Sequence, residues 1–191
     1  MGIKDYSYAS LFDKKDLPYL YRLAEKVRAT HNQDLVNDFN NNLERKWNDH
    51  NPILGDNIEI LQTSKADDLV VTTGINQCID LILGTSIISW EYMYEGSGTT
   101  APAIGQTALI TPQFLVSMIL FGWREYAGTS LRFAGIFGES PITHTVNEAG
   151  VFIAGLATML NRNTYSYNPI IHTINTTAYV ISSVVEFVPV V

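Results

Sequence analysis

The spacing of apolar residues changes about one third of the way along the chain. Between residues 17 and 47, apolar side chains recur every three or four positions, the period of a helix with one buried face. This stripe consists of Leu20, Ala24, Val27, Val36, Phe39, Leu43 and Trp47. Pro18 suits a first helical turn, and residues 48–57 contain the proline and glycine that end the pattern. Thr30 and Gln33 have the spacing of a capping box, so the segment is either two helices or one continuous helix.

A short strand and a further helix are predicted next. Residues 69–72 form an apolar, β-branched run that is typical of a strand. The residues after it return to helical spacing, with Ile75, Cys78, Ile79 and Ile82 on one stripe. Gly84 then provides a C-terminal stop. The sequence therefore predicts a helix near residues 74–83, and it places Cys78 in the core rather than in a reactive site.

From Ile87 onward the pattern is that of β-structure. Short runs of Val, Ile, Thr, Tyr and Phe are separated by Gly, Pro, Asn and Ser. Residues 130–138 alternate Leu131, Phe133, Gly135 and Phe137 on one face. Residues 177–188 are apolar on both faces, which indicates a strand that lies inside a domain or inside an assembly. We expect a mainly β fold, an antiparallel β-sandwich or jelly roll, with a helical N-terminal arm over residues 1–57 and the sandwich over residues 58–191.

Charge is distributed unevenly and changes the picture of the surface. The chain has 191 residues, a net charge of −7 and only 16% charged residues. About half of its charged residues fall within the first 50 positions. The rest of the surface is either a neutral one rich in Thr, Ser and Asn, or it is covered by other subunits, where charge is depleted. The segment after Pro112 is apolar enough to need a covering partner.

The same composition excludes several classes of protein. An acidic chain does not match the basic surface of nucleic-acid binders, so no nucleic-acid partner is expected. No uncharged apolar run reaches membrane-spanning length, and no membrane association is predicted. The single cysteine excludes an intrachain disulfide, and we expect synthesis in a reducing cytoplasm.

Residues 94–105 contain a loose match to a dinucleotide-binding fingerprint, formed by Gly96, Gly98 and Ala101. That fingerprint requires a helix after the glycines, and Pro102 follows Ala101 directly. No basic residue lies between Lys65 and Arg124 to meet a phosphate. The sequence therefore predicts a turn, with no nucleotide or other cofactor.

Other chemistry is sparse in the sequence. The four histidines, at positions 31, 50, 144 and 172, are too dispersed to suggest a metal site. No nucleophile elbow, Walker loop or metalloprotease motif is present. We therefore expect no catalytic residues and no metal. Four aromatic residues could form a carbohydrate platform, but packing in the core is the favoured interpretation; they are Trp90, Tyr92, Tyr94 and Trp123.

A set of ordered motifs resembles structural proteins of tailed phages and related archaeal viruses. The motifs are "VVTTGINQCIDLILGTS", "GSGTTAPAIGQTALITP", "VNEAGVF", "MLNRNTYSYNPI" and "TTAYVISSVVEFV". They run in this order from Val70 to Val188, which is nearly two thirds of the chain. The helical N-terminal residues have no counterpart in the resemblance.

The resemblance implies a β-sandwich virion subunit of the head-decoration, collar or tail-fibre type, without catalysis or cofactor. Its partners would be copies of itself, most often in a homotrimer, and other virion proteins such as coat, collar or tail proteins. The alternative is a fibre module that recognises a host receptor or glycan. The apolar stripe of the helical arm needs a covering surface, so the arm either folds back on its own sandwich or docks on a neighbouring virion protein. Docking is the favoured alternative, and it would use Leu20, Val27, Val36, Phe39, Leu43 and Trp47.

Asn147, Glu148 and Gly150 in the "VNEAGVF" motif are predicted to be structural. We expect Gly150 at a position that a Cβ atom would crowd. Glu148 is expected to accept hydrogen bonds from backbone groups or from an arginine such as Arg162. Replacing Glu148 by Gln should then leave the protein normal or mildly unstable.

Overall fold

Two antiparallel sheets and a layer of helices make up the structure, a computed structural model. It describes residues 2–67, 69–84, 86, 89–127, 129–138, 142–155, 158–165 and 168–188. Ile87, where the β-region was predicted to begin, lies outside the described residues.

The helices are α1 (Leu17–Thr30), α2 (Gln33–Trp47), α3 (Thr72–Ile82) and α4 (Met118–Phe121). The strands are β1 (Gly2–Asp13), β2 (Ile53–Leu54), β3 (Ile58–Asp67), β4 (Leu69–Val70), β5 (Trp90–Gly96), β6 (Pro112–Ser117), β7 (Gly122–Ala127), β8 (Ser130–Phe137), β9 (His144–Val146), β10 (Glu148–Ile153), β11 (Met159–Thr164), β12 (Ile170–His172) and β13 (Thr177–Val188). Short 3-10 turns cover Lys14–Asp16 and Gly55–Asn57.

The strands form one sheet of six, one sheet of five and a two-stranded ribbon. The strand orders are β2-β3-β1-β13-β8-β7, β4-β11-β10-β5-β6 and β12-β9. All pairings among the described strands are antiparallel. The prediction of a mainly β fold built from packed antiparallel sheets is confirmed.

The six-stranded sheet is buried on both faces, which explains the two apolar faces of β13. Tyr179 and Ile181 point into a core between the two sheets. Ala178 and Val180 alternate with them and join a second core beneath α1 and α2. A strand buried on both sides carries apolar residues at successive positions rather than at alternate ones. The apolar pattern of β13 therefore reflects three layers within one chain.

The helical stripe predicted for attachment is covered by the chain itself. Leu20, Val27, Val36, Phe39 and Leu43 are all buried in the core beneath the helices. Trp47 is half-buried and packs against the same core. The attachment role predicted for this stripe is therefore corrected: these side chains stabilise the sheet on which they lie.

The segment is two helices rather than one. His31 has a left-handed backbone with φ of 49° and ends α1. The Asn32 side chain accepts hydrogen bonds from the backbone N–H groups of Asp34 and Leu35, so Asn32 is the N-cap of α2. Thr30, proposed for that role from the capping-box spacing, instead donates to the Lys26 carbonyl.

The prediction of an entirely helical N-terminal arm is wrong for its first residues. β1 covers Gly2–Asp13 and lies between β3 and β13 in the six-stranded sheet. It pairs with β13 over its full length, from Gly2 opposite Val188 to Asp13 opposite Thr177. A domain boundary after residue 57 would separate β1 from β3 and β13, its neighbours in this sheet. The hydrogen bonds of β1 therefore make residues 2–13 part of the sandwich and not of a separate arm.

Candidate functional site: an internal carboxylate cage

Glu148, the first residue of β10, holds its carboxylate inside a cage of hydrogen-bond donors. The residue is fully buried. Its Oε1 accepts from the backbone N–H groups of Gly98 at 3.1 Å and Thr111 at 2.7 Å. Its Oε2 accepts from the Ile110 N–H at 3.1 Å. Three backbone N–H groups therefore donate to one buried carboxylate and satisfy its acceptor oxygens.

Arg162 on β11 supplies the counter-charge. Its Nε donates to Glu148 Oε2 at 2.8 Å, and its Nη2 lies 2.7 Å from the same oxygen. Both side chains are completely shielded from solvent. Arg162 Nη1 also donates to Gln106 Oε1 at 3.2 Å. Of the partners expected for Glu148, a backbone group and this arginine, the structure has both.

The glycine loop, residues 97–111, is closed around this carboxylate. The Ser97 N–H donates to the Thr111 carbonyl at 3.0 Å, so the two ends of the loop meet. A Cβ atom on Gly98 would lie 2.7 Å from Glu148 Cδ, and one on Gly96 would collide with the Thr111 carbonyl. The glycines are therefore required because the loop backbone approaches Glu148 and itself closely.

The glycine loop thus binds an anion that belongs to its own chain. Three of its backbone N–H groups, those of Gly98, Ile110 and Thr111, face inward, as the amides of a phosphate loop do. All three donate to Glu148, which lies 50 residues further along the chain than Gly98. The sequence predicts a turn here, and no feature of the sequence indicates that Glu148 would bind to this loop.

The rest of the "VNEAGVF" motif supports the cage. Asn147 donates through Nδ2 to the Ser97 carbonyl at 3.2 Å. A Cβ atom on Gly150 would lie 2.7 Å from the Asn161 carbonyl oxygen, so this position is crowded as predicted. Asn147, Glu148, Gly150 and Arg162 lie together on β10, β11 and the turn before β10.

A second buried polar cluster joins the β9–β12 ribbon to the two sheets. Glu95 on β5 lies beside His144, with 3.1 Å between Glu95 Oε1 and His144 Nε2. His144 pairs across the ribbon with His172, and their ring centroids are 5.3 Å apart. Tyr179 lies against both rings. Sequence spacing could not reveal this cluster, because strand register brings its members together.

The protein environment shifts the pKa values of Glu95, His144 and His172 in different directions. Burial raises the pKa of the Glu95 carboxyl, and His144 only partly opposes that shift. Burial alone would lower the pKa of His144, but the hydrogen bond and charge of Glu95 outweigh it, so the pKa is raised. Burial, together with the charges of His144 and Lys14, lowers the pKa of His172 to about 4.

We expect His172 to make the protein less stable as the pH falls from 6.5 toward 4. The folded pKa of His172 lies below its usual 6.5, so the unfolded chain binds more protons in this window. The free energy of unfolding should fall by up to about 3 kcal/mol more than in a His172→Asn variant. Urea unfolding at several pH values measures this difference.

His50→Asn is the matched control, because His50 is exposed. It should keep the pH dependence of the unchanged protein. If His172→Asn also keeps that dependence, His172 does not carry the effect.

The carbohydrate platform considered from the sequence is not assembled. Trp90 and Trp123 are 5% and 1% exposed, and both lie in the hydrophobic cores. Tyr92 and Tyr94 are half-buried beside Phe152. These aromatic residues therefore pack the interior, as the favoured interpretation held.

Within the part of the chain that the structure describes, no three His, Cys, Asp or Glu side chains are grouped to hold a metal ion. No described helix has the length and apolar character needed to cross a membrane. Comparison with protein-family models, curated proteins and solved structures finds no match for this chain. The likeness to viral structural modules rests on the sequence motifs alone.

Proposed function

We propose that this chain is a structural, non-catalytic subunit of a virus particle. It would form part of a head decoration, collar or tail appendage by assembling with itself, as a homotrimer, and with other virion proteins. The observation that carries the proposal is the convergence of the viral-type motifs on one internal ion pair. The glycine loop, the "VNEAGVF" segment and the "MLNRNTYSYNPI" segment meet at Glu148 and Arg162. The motifs behind the resemblance thus stabilise a fold.

The chemistry of the buried acidic groups supports a non-catalytic role. Both oxygens of Glu148 are occupied by donors from the chain, and the residue has no exposed surface. A general acid or base must reach a proton on a substrate. Glu95 is equally buried and lies against His144. Neither carboxylate is placed to meet a substrate from solution.

Fewer surfaces are free for assembly than the sequence suggested. The two apolar faces of β13 had favoured an assembly, but both are covered within the chain. One exposed apolar area lies around β6 and α4, where Leu115, Leu120 and Phe121 are 42%, 62% and 43% exposed. Exposed apolar area of this kind is typical of a protein–protein contact.

Light scattering at micromolar concentration tests self-assembly. We expect three copies of the 21.3 kDa chain, about 64 kDa. A well-behaved 21.3 kDa monomer would contradict the proposal of a self-assembling subunit.

Mass spectrometry of purified virus particles tests the location. Peptides of this chain should be present at the copy number of a structural component. Their absence from intact particles would contradict a virion role. A glycan array with the isolated oligomer would distinguish the alternative, because a receptor-binding module should retain a specific sugar.

A further inference from the structure

One continuous stretch of the chain carries no charged residue. Residues 96–123 contain no Lys, Arg, Asp, Glu or His, in a chain whose net charge is −7. The stretch includes the glycine loop, β6 and α4. It also carries several exposed apolar side chains, namely Ile104, Ile110, Leu115, Ile119, Leu120 and Phe121. We call the exposed surface of β6 and α4 the β6–α4 face.

The β6–α4 face includes a sheet edge that the described parts of the chain leave uncovered. β6 pairs with β5 on one side and is the outermost strand of its sheet. Natural edge strands are usually protected by charges, by a covering helix or by being very short. β6 has six residues and no charge. Pro112 blocks only its first position.

The edge strand of the other sheet shows how this chain protects an edge. β7 carries Arg124 and Glu125, and α1 packs beside it. Arg28 on α1 donates to the Gly122 carbonyl at 2.6 Å. The remaining sheet edges, β2 and β4, have only two residues each. Of the four edge strands in the two larger sheets, β6 alone is both long and unprotected.

A cleft opens beside the same face. It encloses about 380 Å³ and is lined by apolar side chains that include Phe114, Leu115 and Phe121. Leu120, the neighbour of Phe121, is 62% exposed. The face therefore carries both an exposed apolar side chain and an apolar cleft. Identical copies supply both halves of such a contact, and a head-to-tail contact forms a ring, such as a trimer, when the rotation from one copy to the next closes a full turn.

We propose that copies of this chain bind one another through the β6–α4 face, with Leu120 of one copy entering the cleft of the next. This rests on the self-assembly in the proposed function and names its surface. The charge distribution favours a second copy of this chain as the partner at this face, because two acidic chains repel each other wherever their carboxylates meet. The β6–α4 face lacks that repulsion, and a basic partner would be drawn to a different, acidic surface.

Leu120→Glu tests the proposal. In assembled protein it would place a carboxylate in an apolar contact, so we expect the mass to fall to the 21.3 kDa of a single chain. Leu83→Glu is the matched control, since Leu83 is 69% exposed at the end of α3 and outside the β6–α4 face. That variant should keep the mass of the unchanged protein.

Leu120→Ala covers the case in which the added charge disturbs folding. It removes the apolar side chain without adding charge, and it should raise the dissociation constant about 10- to 100-fold. Circular dichroism should show the thermal unfolding of the free monomer unchanged.

The outcomes separate this proposal from the function on which it rests. An unchanged protein that is monomeric overturns self-assembly itself. An oligomer that survives both Leu120 substitutions overturns the β6–α4 contact and leaves self-assembly standing. Dissociation by Leu83→Glu as well as by Leu120→Glu would also overturn it, because the effect would not be specific to this face.

Discussion

Replacing Glu148 by Gln is expected to lower the free energy of unfolding by about 3 to 5 kcal/mol. The substitution removes the negative charge opposite Arg162, whose side chain is completely shielded from solvent. It also turns one carboxylate oxygen into an NH2 group. That group would face donors from Arg162 or the glycine loop, and a buried donor without an acceptor is costly. Urea unfolding followed by circular dichroism measures the loss, which exceeds the mild instability expected from the sequence.

Two further substitutions make this prediction specific. Arg162→Met should cost less than Glu148→Gln, because the three backbone donors still stabilise the remaining carboxylate. Glu91→Gln on the neighbouring β5 should change the free energy of unfolding by no more than about 0.5 kcal/mol. If Glu148→Gln keeps full stability and assembly but abolishes a measurable hydrolytic activity, Glu148 is catalytic and the structural interpretation is wrong.

Elements with a strong local period could be predicted from the sequence. The apolar stripes of α1, α2 and α3 repeat every three or four residues, and these helices lie where that period placed them. The predicted helix near residues 74–83 is observed as Thr72–Ile82. Gly84, expected to end it, has a positive φ of 70°. Local patterns succeed for α1 and α2 because each buries one continuous face. On α3 only part of the stripe packs inward, since Ile75 and Cys78 contact the core between the sheets while Ile79 is exposed.

β1 was not predicted, because serines interrupt the apolar residues that it buries. Ser7 and Ser10 are fully buried in the sheet. The Ser7 hydroxyl is hydrogen-bonded to the Tyr165 hydroxyl at 2.7 Å, and the Ser10 hydroxyl is hydrogen-bonded to that of Thr63 at 3.0 Å. Buried hydroxyls that satisfy one another cost little, but they erase the alternation that marks a strand. The pairing of β1 with β13 joins the two ends of the chain, which no local pattern can reveal.

The carboxylate cage was only partly accessible to sequence reasoning. Glu148 and Arg162 are charged residues in a charge-poor region, and an ion pair between them was a natural expectation. The donors that complete the cage are backbone N–H groups, and these have no signature of their own in the sequence. Gly98 is a position in the sequence that reflects the cage, because a side chain there would collide with Glu148.

Deleting residues 1–50 is expected to prevent folding, because the deletion removes a central strand as well as two helices. Without β1, both β3 and β13 lose a partner along one edge. Without α1 and α2, the apolar residues of the core beneath these helices, such as Ile60, Ile136 and Val180, are exposed to water. The truncated chain should be insoluble, or it should show no cooperative transition on heating. This result is the opposite of the one expected for a detachable arm.

A single substitution tests whether α2 belongs to the core without removing β1. Phe39 is 2% exposed and packs against Phe12 and Trp123. Phe39→Ala should lower the free energy of unfolding by about 3 to 5 kcal/mol, whereas Asn41→Ala on the exposed side of α2 should change it by no more than about 0.5 kcal/mol. Suppose instead that the truncated chain folds cooperatively and Phe39→Ala is as stable as the unchanged protein. The helices would then be dispensable for the core, and an attachment role for Leu20, Val27 and Phe39 would regain its basis.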